Sequence, residues 1–105
     1  MTDRERLPDR RRGALVSFDH DGLAYVAQYG FSPTGSLLEI FLDVGKTGTT
    51  ANIVAKEAAV VTSLALQYGV PIEVLRAALP GLRDGSPAGP LGLALGEAEG
   101  KPSSK

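Results

Sequence analysis

Residues 37–44, LLEIFLDV, alternate without a break. Leu38, Ile40, Leu42 and Val44 point one way. Leu37, Glu39, Phe41 and Asp43 point the other, as the two-residue side-chain period of a strand requires. A few residues later the period changes. From Thr50 to Tyr68 the polar residues Asn52, Lys56, Ser63 and Gln67 fall on one narrow stripe when the chain turns about 100° per residue, and nearly everything else is apolar. Gly69 supplies a left-handed helix stop, and Pro71 suits the first position of a following helix. A strand handed over to a long helix by a short turn restricts this chain to folds in which helices pack on a sheet.

The remaining text fits that frame. ALVSFD from Ala14 runs into the turn residues His20, Asp21 and Gly22; LAYVAQY follows, rich in the aromatic and β-branched residues of strands. FSPTGS interrupts any ladder at Pro33 and Gly35. PIEVLRAAL reads as a short amphipathic helix ending at Pro80. LRDGSPAGPLGLAL holds so many Gly and Pro residues that little regular structure is expected before its last residues. The predicted order is β-β-β-α-α, an α+β fold with a three-stranded antiparallel meander. Residues 13–95 form the expected domain. Residues 1–12 read as a disordered arginine-rich arm and residues 96–105 as a disordered tail.

A helix apolar around most of its circumference is expected to be covered on most sides. Leu37 and Phe41, with Tyr25 and Tyr29, are assigned to the second face of the sheet. So small a domain has too little protein to cover both. Self-association as a symmetric dimer is therefore expected, with Phe41, Leu37, Glu57 and Leu64 as interface candidates. Glu57 falls among Ile53, Val61, Leu64 and Tyr68, away from the polar stripe, where a carboxylate calls for a partner across a seam.

Composition narrows the chemistry. The 105 residues contain no cysteine and one histidine, His20, so no thiol nucleophile, disulfide framework or His/Cys metal site is available. No catalytic residue, metal or cofactor is expected. The net charge is −1, and the arm carries Arg4, Arg6, Arg10, Arg11 and Arg12 against Asp3, Glu5 and Asp9. The rest of the chain is therefore acidic on balance, a poor match for nucleic acid. A charged N-terminus and the lack of a long apolar run predict a cytoplasmic protein with no membrane partner.

GKTGTT invites comparison with a phosphate-binding loop, but that motif needs a glycine where Ile40 stands, and its lysine belongs at the helix start. Two readings remain. Gly45, Lys46, Gly48, Thr49 and Thr50 could gather an anion at the helix N-terminus, or they form a strand-to-helix turn with Thr49 or Thr50 as N-cap. Asp19, His20 and Asp21 could suggest a metal or a proton relay, but a tight hairpin turn accounts for the same letters.

Taken in order, RRRG, the meander, LLEIFLDVGKTGT, VVTSLALQYGVPIEVL and PAGP resemble the C-terminal region of adenosylcobalamin-dependent (class II) ribonucleotide reductases. That region is related to the TSCPD domain, which also occurs as small free-standing proteins. The resemblance covers most of the expected domain and is most specific at Leu66–Pro71, LQYGVP. The reductases' large barrel and terminal cysteines have no counterpart here, and the letters TSCPD do not occur, so the resemblance implies no catalytic or cofactor residue. It implies a scaffold: a non-catalytic TSCPD-like oligomerisation or accessory module. The alternatives are a segment that completes or regulates a ribonucleotide reductase in trans, another nucleotide-metabolism partner, or a nucleotide or anion sensor.

Overall fold

A computed structural model describes residues 12–45 and 49–99. Three strands come first: β1 (Arg12–His20), β2 (Leu23–Phe31) and β3 (Leu37–Val44). They pair antiparallel in the order β1-β2-β3, so the expected meander is present. Asp21 and Gly22 make the β1–β2 turn at φ 55° and 80°. Both central residues at positive φ match the twist of a two-residue hairpin, and Asp and Gly tolerate that region. Of the D-H-D-G letters, Asp21 and Gly22 are spent on this turn, and Asp19 and His20 end β1 paired with Ala24 and Leu23.

Three helices follow: α1 (Thr50–Gln67), α2 (Ile72–Ala78) and α3 (Pro90–Glu99). Thr49 caps α1, its hydroxyl accepting from the Asn52 N–H. Gly69, at φ 97°, ends the helix, and Val70 N–H reaches back to Ala65 C=O at 3.0 Å. That is the glycine stop expected at this position. Pro71 sits one place earlier than expected, as the N-cap of α2.

The core lies between one sheet face and the helices. Tyr25, Ala27, Tyr29, Ile40, Leu42 and Val44 meet Ala55 and Ala59 of α1 and Ala94, Leu95 and Ala98 of α3. Alanines on both helices let the backbones approach the sheet closely. Tyr25 and Tyr29 correct one expectation. The register pairs them with Val44 and Ile40, so they share the core face and are buried rather than standing beside Phe41. The Tyr29 hydroxyl donates to Ala94 C=O at 2.7 Å and so ties β2 to α3. Burial, and to a lesser degree the nearby Glu97 carboxylate, pushes this phenol up to about 12.

The third helix is a second correction. α3 occupies PLGLALGEAE, including residues 96–99 of the expected tail. Its Pro and Gly residues have tertiary roles. Pro90 opens the helix, where its missing N–H costs nothing. A Cβ on Gly92 would lie 2.8 Å from Pro87 Cβ, so only glycine allows that contact. Residues 1–11 and 100–105 of the expected arm and tail lie outside the described residues.

Candidate functional site

β3 is an edge strand, and α1 runs antiparallel beside it. Ile40 N–H donates to Ser63 Oγ at 2.9 Å, and the same hydroxyl donates to Ile40 C=O at 3.1 Å. Gln67 Nε2 donates to Leu38 C=O at 3.0 Å. At the other end Val44 N–H donates to Asn52 Oδ1 at 3.3 Å. An open strand edge presents unpaired backbone groups, and helix side chains here take up four of them. The spacing fits. The strand rises about 3.3 Å per residue and the helix about 1.5 Å, so the six strand steps from Leu38 to Val44 match the fifteen helix steps from Asn52 to Gln67. Among the described residues no buried side-chain N or O atom lacks a partner.

This arrangement decides which side of α1 faces inward. Asn52, Ser63 and Gln67 of the polar stripe, together with Ala55, Ala59, Thr62 and Leu66, are turned toward the sheet. The apolar side faces out: Ile53, Val54, Val60, Val61, Leu64 and Tyr68 are all exposed, Val61 at 67%. The expectation of a helix covered around most of its circumference is therefore corrected. Covering β3 takes polar side chains, which leaves the apolar residues on the outer side.

Phe41 continues the outer face onto the sheet and is 47% exposed. A groove of about 610 Å³ runs between the open sheet face and α1, lined by Val26, Phe41, Asp43, Lys56, Val60 and Leu64 among others. Lys56 Nζ lies 3.8 Å from Asp43 at its rim, an exposed pair that contributes little to stability. The exposed apolar side chains of α1 and Phe41 together present on the order of 600 Å², which reaches the top of the range for a monomer's largest patch and approaches the ~800 Å² each partner gives to a standard interface.

The named interface candidates divide. Phe41, Glu57 and Leu64 lie on this outer surface, Glu57 exposed among the apolar side chains. Leu37 does not: a register shift at Gly30/Phe31 pairs it with Phe31, and it is half-buried against the core. In the anion candidate, Lys46 and Gly48 lie outside the described residues. Gly45 and Thr50 are exposed, and the Thr49 hydroxyl accepts from Asn52 N–H at 3.2 Å. Sequence reasoning missed Val60 and Val61, and it missed the edge-capping role of Asn52, Ser63 and Gln67. The usable signal was three amide or hydroxyl side chains on one helical stripe, directly after a strand whose edge needed covering. Among the described residues no group of three or more His, Asp or Glu could hold a metal ion, and no helix is long and apolar enough to cross a membrane.

The TSCPD domain family matches residues 5–101. This chain belongs to that family. Its curated relatives include vitamin B12-dependent ribonucleotide reductases. The protein of that name from Bradyrhizobium diazoefficiens is 37% identical over 73 residues, covering 70% of this chain and 6% of its own length. The one from Rhodopirellula baltica is 37% identical over 75 residues, covering 69% and 7%. The one from Streptantibioticus cattleyicolor is 36% identical over 70 residues, covering 67% and 12%. The TSCPD chain thus spans a small part of the relatives it matches. No solved structure matches it significantly.

Proposed function

We propose that this chain is a non-catalytic TSCPD module that works by association. The outer face of α1, with Phe41, docks on a larger protein, and a second copy completes a dimer. The carrying observation is the mounting of α1: its polar stripe is used up on β3, and its valines, isoleucine, leucine and tyrosine are left for a partner. A soluble domain rarely leaves so large an apolar patch open. The partner we favour is a B12-dependent ribonucleotide reductase in the cytoplasm, bound in trans and completed or regulated by the docked module. In relatives of that name the matching region belongs to a far longer chain, so a TSCPD surface and a reductase body occur together. Without cysteine the chain brings no thiol to that chemistry, so reactive groups come from the partner.

The test mixes the purified chain with a purified B12-dependent ribonucleotide reductase and follows co-elution and turnover. Support is a stable complex and altered turnover, both lost in Val61→Lys. No complex and no effect at saturating concentration remove the reading.

A further inference from the structure

The sheet has a second edge, and nothing among the described residues covers it. The bonds to α1 show that Leu38, Ile40 and Val44 turn their backbone groups outward from β3. Backbone direction alternates along a strand, so Glu39, Phe41 and Asp43 face β2. Their partners Gly30, Gln28 and Val26 face β3, and Tyr25, Ala27 and Tyr29 face β1. Phe18, Val16 and Ala14 therefore bond to β2, which leaves the N–H and C=O groups of Gly13, Leu15, Ser17 and Asp19 on the free edge of β1.

That edge lacks the usual protections. It is nine residues long, its pairing with β2 has no register shift, and Gly13–Phe18 contains neither charge nor proline. Its core-side row is also unfinished. Ala14, Val16 and Phe18 pack against the core but stay only half-buried, although Phe18 stacks on Tyr25 at 5.4 Å. The charges are arranged by end: Arg12 opens the strand, and Asp19 and Asp21 lie where it leaves.

We propose that β1 is the seam of a homodimer, paired antiparallel with β1 of a second copy about a two-fold axis at Val16, to give a continuous six-stranded sheet. In this register Gly13 faces the second copy's Asp19 and Leu15 faces its Ser17, so every outward backbone group of Gly13, Leu15, Ser17 and Asp19 is used. The arginine end of each strand meets the aspartate end of the other, which a parallel arrangement would not allow. Ala14 and Val16 gain the second copy's Phe18 and Val16 as neighbours, closing the half-buried row. The α1 face stays free, because it seals the opposite edge of the sheet. The proposal rests on the self-association half of the functional reading and locates the seam.

The chain has no cysteine, which makes the test direct. Val16 becomes its own partner at a non-hydrogen-bonded position, where Cα atoms lie about 4.5 Å apart, within disulfide reach. Val16→Cys under mild oxidation is expected to form a covalent dimer at least tenfold faster than Leu64→Cys on α1. Light scattering of the unmodified chain is expected to give a dimer mass. Ser17→Pro is expected to give a folded monomer, because only the outward N–H is removed. If Ser17→Pro fails to fold, the cysteine pair decides. Equal linking rates, or faster linking of Leu64→Cys, overturn the β1 seam while leaving self-association intact. A monomer mass at high micromolar concentration overturns both.

Discussion

Single residues show where this fold depends on one atom. Asn52→Ala leaves the buried Val44 N–H without its acceptor, and Ser63→Ala strips Ile40 of two bonds at once. Each is expected to cost about 1–3 kcal/mol in urea unfolding. Two glycines on α3 form a contrasting pair. Gly92→Ala drives a methyl to 2.8 Å from the rigid Pro87 ring, and destabilisation of about 1–3 kcal/mol is expected despite the better helix propensity of alanine. Gly96→Ala meets only the far end of Arg76, at 3.4 Å, so it is expected to be neutral or to stabilise by up to about 1 kcal/mol. Tyr29 contributes to the alkaline limit. Its folded pKa, raised to about 12 from 10.0, favours the neutral phenol in the folded chain. That stability is fully present below pH 10 and is lost as pH rises toward 12. Thermal melts between pH 9 and 12 should show the loss, and Tyr29→Phe should flatten it. Thr49 already caps α1, so phosphate or a nucleotide is expected to leave the melting temperature unchanged. A rise that Lys46→Ala weakens would instead favour the anion-sensor reading.

At the scale of elements, the sequence is legible where local and tertiary rules agree. Alternation in LLEIFLDV gives the face of every β3 residue from Leu38 onward, and Asp21-Gly22 and Gly69 mark their turns without tertiary help. Leu37 is misplaced because a register shift in β2 is invisible in the letters of β3. The coverage of α1 is misjudged for a physical reason. Periodicity separates a polar from an apolar side, but it does not say which side the neighbour needs. A strand edge needs hydrogen-bond partners, so the polar side goes in. α3 is missed because Pro90, Gly92 and Gly96 read as breakers, whereas tertiary contact uses them as a helix opener and as room for Pro87 and Arg76. The inverted mounting predicts that Val61→Lys changes unfolding free energy by no more than about 0.5 kcal/mol, while Ala59→Lys unfolds the chain, since Ala59 is buried against the sheet.

As a whole molecule, the TSCPD chain has a sheet with two different edges. α1 closes the β3 edge and turns its apolar side outward; among the described residues nothing covers the β1 edge, where we propose that a second copy pairs. A dimer built at β1 carries two α1 faces, and two linked weak contacts bind far more tightly than one. The family relationship was legible as a resemblance of particular stretches, LLEIFLDVGKTGT and above all LQYGVP. The roles of the two edges were not, because the letters do not say which side of α1 meets β3. The most direct measurement uses single cysteines on the cysteine-free chain and their rates of thiol labelling. Val61→Cys should label fast in the chain alone and become protected when a B12-dependent ribonucleotide reductase is added, whereas Ser63→Cys should label slowly in both. Slow labelling at position 61 with fast labelling at 63, or no protection of position 61 by saturating reductase, would contradict the outward mounting of α1 or its docking role respectively.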